Sequence, residues 1–493
     1  MMKRFVCAIT FVVGLLNAVL VEAGRPRSPE PMRGLTPQEV VDEMGIGINL
    51  GNTLDVRNVN KTYWGNPETT EEIVDGILSA GFTTLRLPVT WYPNMGEGPD
   101  YVVDTEYLKR VEEIVSWALD RGVYVILNTH HEGHWVIPNY ENIDATSERL
   151  EKVWTQIANH FKNYGDRLIF ETLNEPRVEG GGTLWGEWSG GTAETRDCVN
   201  RANKACVSAI RATGSNNSVR MLMVPTHAAS ADVKAMADWE APNNDPNVIV
   251  SVHAYAPYQF CLTNQDADWG TDTDKRALDN LFEQIHETIV VGMGRAVVMG
   301  EWGSQNNGLG NELDRIRHAD YYANRCVDYG ISPVVWDDGG KFKLFDRREL
   351  NWSSRVQADT VLVPLFGQSF ALFQETASLS TGAEGDEDGD GQANILEYAF
   401  GSDPNDAGDL SLMPRLEVVG GSLTIVSQRA DVNVQYIVEC SENLASDSWR
   451  SLLPIALKTS VLSGIGGRNE VRQEIEVDKE QSYSTFLRLR IED

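Results

Sequence analysis

The chain has 493 residues, 42% of them hydrophobic, with 42 basic against 72 acidic side chains and a formal net charge of −30. That length supports one large core plus a smaller unit. A surface so acidic repels phosphate polymers, which excludes nucleic acid as a natural partner and leaves neutral polymers open.

Lys3 and Arg4 precede an apolar stretch from Phe5 to Val21, and Val21-Glu22-Ala23 places small side chains where a signal peptidase reads. Residues 1–23 therefore read as a secretory signal. They imply a secreted protein, extracellular, cell-surface or periplasmic, with no membrane insertion after cleavage; an uncleaved anchor is the rival reading. Residues 24–34, rich in Pro and Arg, read as a disordered lead-in. Loss of Cys7 with the signal leaves five cysteines, too few for a disulfide-stapled small fold and odd in number. Cys198 and Cys206 lie on one predicted helix, separated by about 12 Å of rise, and should not bridge. Cys261 with Cys326 stays open as a pair, and no two cysteines have zinc-site spacing.

From Met44 a strand, loop and helix unit repeats. Apolar runs occur at Met44–Leu50, Phe82–Val89, Val123–Asn128, Leu168–Thr172, Met221–Pro225, Val248–His253, Ala296–Met299 and Ser332–Trp336. Most are continuously apolar, as strands covered on both faces should be. Between them the period changes. Leu108, Val111, Ile114, Val115 and Ala118 follow a cap at Asp104, and Leu150, Val153, Trp154, Ile157 and Phe161 follow one at Ser147. Segments 68–80, 194–212, 274–291, 312–328 and 353–365 read as helices in the same way, and 230–240 more weakly. Eight such units predict an α/β fold, a (β/α)8 TIM barrel over 35–368, in preference to an open doubly wound sheet.

Composition shifts near residue 370. Residues 369–408 read as a linker carrying a twelve-residue loop, with oxygen donors Asp386, Asp388, Asp390, Gln392, Asn394 and Glu397 around a turning Gly391. This is an EF-hand-type calcium pattern, expected to be structural; a merely acidic linker is the alternative. From 409 to 493 the period is two, which predicts a small antiparallel β-sandwich of unassigned role.

The chemistry gathers at predicted strand ends. Glu175 follows the fourth run and Glu301 the seventh, so in a closed parallel barrel both carboxyls open on one face. One acid able to hold a proton and one ionised partner suit glycosidic cleavage, although a single Glu at a strand end often only caps a helix. Asn174 can offer its amide to a sugar hydroxyl. Arg86, in an apolar strand, needs a buried carboxylate partner, and Glu301 is the obvious one. His130 and His131 end the third run and His253 with Tyr255 the sixth; metal ligation by the histidines is the competing reading. Trp336 ends the eighth run as a floor for a sugar ring. Trp91, Trp135, Trp185 and Trp188 are further stacking candidates, for which simple packing is the alternative.

The segments Gly47–Asp55, Leu85–Trp91, Asn128–Glu132, Phe170–Arg177, Val252–Tyr255 and Gly300–Gly303 together resemble glycoside hydrolase family 5, the cellulase family A, and most of all its subfamily 4 of endo-β-1,4-glucanases, xyloglucanases and lichenases. The resemblance covers about residues 35 to 365. It implies a retaining hydrolase needing no cofactor for catalysis, acting on β-glucan as a monomer. By resemblance Glu175 is the acid/base and Glu301 the nucleophile, with Arg86, His130, Asn174, His253, Tyr255 and Trp336 around them; Tyr255 would hydrogen-bond Glu301. Asn52 and His131 are expected to support or contact substrate. The family's usual Asp-Asn after the last strand is here Asp337-Asp338, so Asp338 adds a carboxylate expected to affect substrate preference. The calcium loop and following strands resemble C-terminal extensions of secreted bacterial enzymes.

The implied function is a retaining endo-β-1,4-glucanase on cellulose-like, mixed-linkage or xyloglucan chains. The alternatives are a β-mannanase or glucomannanase on the same fold, a non-catalytic glycan-binding barrel and a passive barrel beside a working sandwich. Removing calcium with EGTA should loosen the chain from residue 386 onward, read by limited proteolysis and calorimetry, more than it loosens the barrel; equal destabilisation of both would contradict a local structural ion.

Overall fold

A computed structural model describes residues 30–366 except 58–62, 179–186, 264–267 and 309, together with Asn405 and seven strand segments between 415 and 492. The signal segment, Trp185 and the calcium loop lie outside the described residues.

Eight strands, β1 (Gly47–Asn49), β2 (Thr84–Leu87), β3 (Tyr124–Asn128), β4 (Leu168–Glu171), β5 (Leu222–Ser230), β6 (Val248–His253), β7 (Val297–Trp302) and β8 (Ile331–Val335), form a closed parallel barrel in sequence order. β8 returns to β1 with Gly47 opposite Val334. All eight predicted runs are present, and their continuous apolarity has the expected cause. Along β3, Val125 and Leu127 pack outward under the helices, whereas Tyr124 and Ile126 face the interior cluster with Ile169, Met223, Ile249, Val298 and Val334. That cluster is plugged at one end by Val40, Val41 and Met44 of the helix Pro37–Met44, which starts at a Thr36/Glu39 capping box. The interior is thus largely apolar at the bottom, where the hydroxyls of Thr84 and Ser332 donate to the carbonyls of Met44 and Gly45, and charged side chains begin only toward the strands' C-terminal ends.

Several local expectations are corrected. The helix expected after Ser147 begins at Ile143, so Ser147 lies inside it. β5 runs on to Ser230 through an irregular register and positive φ at Ala228 and Ala229, which leaves only Val233–Ala237 helical. Residues 30–34 of the lead-in are not free: Glu30 accepts from Gly165 N, and Arg33 pairs with Asp166 at 2.7 Å and Glu43 at 2.8 Å. Cys198, Cys206, Cys261 and Cys326 are all buried free thiols, which removes the Cys261–Cys326 pairing. The C-terminal strands form two antiparallel sheets, one of four strands and one of three. Among the described residues, no helix is long and apolar enough to cross a membrane.

Arg220, fully buried just before β5, holds the lower rim together. It donates to the carbonyls of Phe161, Tyr164, Gly165 and Leu168 and to Asn217 Oδ1, and with no carboxylate in salt-bridge contact among the described residues burial draws its pKa down to about 9. Arg220→Met should strand these acceptors and cost on the order of 3 kcal/mol. Chemical denaturation checks this; a midpoint unchanged from wild type would refute the assigned role.

Candidate active site

The polar layer that tops the barrel is set by strand register. Asn49 of β1 lies opposite Arg86 of β2, and Asn128 of β3 opposite Glu171 of β4. Arg86 is completely buried. Its Nε donates to Glu171 Oε2 at 2.8 Å, Nη1 to Asn49 Oδ1 at 2.9 Å and Glu301 Oε1 at 2.8 Å, and Nη2 to Asn174 Oδ1 at 2.8 Å. Burial alone would drive off its proton, but the two carboxylates reverse that and hold the charge more firmly than water does. Pairing with Glu301 is as expected; Glu171 is an additional partner.

Each remaining group is oriented from behind. Asn128 Oδ1 accepts from Val89 N, which turns its Nδ2 toward both Glu171 Oε2 at 3.0 Å and His130 Nδ1 at 3.1 Å. His130 therefore carries its proton on Nε2, 4.0 Å from Glu301 Oε1, and burial, reinforced by the neighbouring His131, keeps it neutral. Tyr255 donates its hydroxyl to Glu301 Oε2 at 3.0 Å. With Oδ1 of Asn174 taken by Arg86, its NH2 is the group left for a ligand.

Glu175 and Glu301 face one another with His253 between. A carboxylate oxygen of each and a ring nitrogen of His253 all lie within 4.8 Å of one another, and His253 Nδ1 is 3.0 Å from Glu175 Oε1. Burial is the largest influence on both acids. At Glu301 it prevails and raises the carboxyl above the usual range; at Glu175 it is outweighed by the hydrogen bond and charge of His253, which bring the carboxyl below it. That order belongs to a cationic His253. When the imidazole is neutral with its proton on Nε2, Nδ1 accepts from Glu175, which then holds the shared proton, and Glu301, held by Arg86 and Tyr255, stays ionised. Glu175, His253 and Glu301, and likewise Asp55, His130 and His131, are close enough to offer donors to one cation. Arg86 against Glu301 opposes a cation at the first group, and Asp55 is already engaged by the amides of Asn52 and Thr53.

His130, Asn174, Glu175, His253, Tyr255 and Glu301 line a cleft of about 530 Å³ together with His131, Trp188, Tyr258, Trp336 and Phe342. Trp336 is partly exposed, its ring parallel to that of His130 at 6.1 Å. Gly51 makes room for it, since a Cβ there would sit 2.6 Å from the indole. Trp188 carries the Arg177 guanidinium 4.1 Å over its ring.

Other expected contacts are not made. Trp91 is fully buried, its Nε1 donating to Asn128 O, and serves as packing under β3. Trp135 is buried too, bonded to Glu132 and covered by Arg149 at 4.1 Å. Asp338 turns back on its own loop, accepting from Gly340 N and Phe342 N, and Asn52 holds Asn66 through its carbonyl; neither lines the cleft. Glu171, Asn49, Asn128 and Ser251, not singled out from the sequence, are the supports on which the layer rests. The usable signal was a charge in β4 on the same inward alternation as Arg86.

The pattern of the cellulase family (glycosyl hydrolase family 5) matches residues 45–341. The chain is 46% identical over 380 residues to endoglucanase B of Clostridium cellulovorans, a match covering 75% of this chain and 83% of that protein. It superposes with a TM-score of 0.64 on a GH5-4 broad-specificity endoglucanase from Clostridium acetobutylicum, at 44% identity over 66% of this chain and 99% of the other. The xyloglucan-specific endo-β-1,4-glucanase XEG5A from a metagenomic library, solved with cellotriose, gives 0.62 at 36% identity, covering 66% and 98%. The barrel, the opposed carboxyls and these likenesses agree: the chain belongs to glycoside hydrolase family 5, in its subfamily 4.

Proposed function

We propose that this chain is a retaining endo-β-1,4-glucanase acting on cellulose-like, mixed-linkage or xyloglucan chains. The observation that carries this reading is the pair of carboxylates, Glu175 and Glu301, within 4.8 Å across the cleft. A separation of about 5 Å leaves no room for a water between them and suits attack by one carboxylate itself. Glu301, held by Arg86 and Tyr255, attacks the anomeric carbon while Glu175 gives its proton to the departing glycosidic oxygen. Glu175 then takes a proton from the water that releases the sugar from Glu301. Asn174 presents its NH2 to the 2-hydroxyl of the reacting sugar, and Trp336 and Trp188 offer ring faces to neighbouring sugars. Internal cleavage is supported by the similar proteins, whose names describe endoglucanases and a xyloglucan-specific endo-glucanase. The reading carries with it the layout taken from the sequence: a secretory leader, the catalytic barrel over 35–368, a calcium-binding linker and a β-sandwich with no assigned role.

Initial rates and product lengths on soluble cellulose derivative, mixed-linkage β-glucan, xyloglucan and glucomannan test the activity. Internal cleavage of at least one glucan is expected, and no hydrolysis by folded protein would overturn it. Glu175→Ala and Glu301→Ala should each lower kcat on glucan by at least about 10³-fold. Azide should rescue Glu175→Ala on an activated aryl cellobioside to a β-azide product and should give no β-azide with Glu301→Ala; exchanged behaviour would exchange the roles. Tyr255→Phe removes a donor that stabilises ionised Glu301, so the acidic limb of the kcat/KM profile should move to higher pH. A limb that stays or moves lower would contradict that contact.

A further inference from the structure

The reaction as proposed leaves one buried charge without a part. Glu171 is wholly buried and takes Arg86 Nε at 2.8 Å, Asn128 Nδ2 at 3.0 Å and Ser251 Oγ at 2.7 Å, with Nη2 of Arg86 also 2.7 Å away and His253 Nε2 4.0 Å from its Oε1. It does not line the cleft, so it touches no substrate.

Resting on the assignment of Glu301 as nucleophile, we infer that Glu171 is a positioning residue: the permanent counter-ion that keeps Arg86 in place while Glu301 loses its charge to the glycosyl ester. Charge is conserved within this closed space. Before reaction Arg86 is cationic, Glu171 and Glu301 are anionic and Glu175 holds a proton. Bond formation between Glu301 and the anomeric carbon, with breakage of the glycosidic bond, makes Glu301 a neutral ester, and Glu175 becomes anionic as its proton leaves on the departing oxygen. The net charge of the four groups is unchanged, but the carboxylate that touched Arg86 from the cleft side is gone. Among the described residues, Glu171 is then the only carboxylate still against a guanidinium that has no access to water. A buried cation cannot be left unpaired without a large penalty. Arg86 must also remain fixed, because it holds Asn174 Oδ1 at 2.8 Å.

Without the Glu171 charge the site is more positive by one unit. That makes discharge of Glu301 harder and works against the cationic sugar of both transition states. Asn128, whose amide is set by Val89, and Ser251 fix the carboxylate so that it does not follow Glu301 or His253 when their charges change.

The test follows trapping of the full chain by a 2-deoxy-2-fluoro cellobioside with an activated leaving group, by intact mass and peptide mapping. Wild-type protein labelled at Glu301 supports the underlying assignment; label on another residue, or none, overturns that assignment and with it this inference. Given label at Glu301, Glu171→Gln should trap on the order of 100-fold more slowly, while its affinity for cellotriose stays within about threefold. Glu171→Asp, which keeps the charge, should recover at least about tenfold of that loss. Trapping by Glu171→Gln at the wild-type rate, or equal slowing in both variants, overturns the inference. Should Glu171→Gln not fold, a folded Glu171→Asp that traps as slowly as predicted for Glu171→Gln overturns it, and one trapping within about tenfold of wild type upholds it.

Discussion

A guanidinium sealed inside a barrel constrains everything around it. Arg86 stands on β2 with no exposure to water, so its donors must be met by the protein, and its charge by carboxylates. Other strands of the barrel do this from at or near their C-terminal ends: Asn49 from β1, Glu171 from β4, and Glu301 from β7. The chain after β4 adds Asn174. Since each partner touches Arg86 within hydrogen-bond distance, the positions of the nucleophilic carboxylate and of the amide beside it are settled by one cation. The apolar plug beneath, from Met44 to Val334, keeps water from reaching it from below. An ion cluster of this kind contributes little to stability by itself; its effect is to hold charges where a transition state needs them.

The two acids divide their surroundings accordingly. Glu301 is fixed on two sides, by Arg86 and by the phenol of Tyr255. Glu175 has the imidazole of His253 on Oε1 and Arg177 3.5 Å from Oε2, and it is the more exposed of the two carboxyls. A rigid, ionised carboxylate opposite a looser one that can gain and lose a proton is the asymmetry a two-step displacement requires. The walls are made by different means. Asp337 accepts from the amides of Gly339, Leu344 and Phe345 and pairs with Arg347 at 2.9 Å. This anchors the loop after β8, from which Trp336 and Phe342 reach the cleft.

Much of this was legible in the sequence because strand ends are marked by where apolar runs stop. Eight runs gave eight strands, and the polar residues at their ends, Glu175, Glu301, His130, His253 and Tyr255, converge as that spacing requires. Arg86 was readable as a buried charge in need of a carboxylate, and Glu171 is the same signal in β4, overlooked because one acid inside an apolar strand is easily taken as part of the motif beside it. The aromatic residues were less readable, since indole rings fill cores as readily as they line clefts. Trp91 and Trp135 lie in the loops that follow β2 and β3 yet turn inward, because Asn128 O and Glu132 give their Nε1 groups buried acceptors. Asp338 shows the opposite limit: the loop's own amides claim its carboxylate, and that competition depends on backbone geometry that residue spacing does not carry. The contacts of Arg33 with Asp166 and Glu43 likewise join residues too far apart in sequence for local composition to reveal.

The claim on which the account rests is that Glu175 and Glu301 act in two displacements at one carbon. Proton NMR of the first products from cellotetraose or mixed-linkage β-glucan, recorded before mutarotation, reads this directly. The β-anomer should appear first and the α-anomer only as the sugar equilibrates; the α-anomer appearing first would contradict a double displacement.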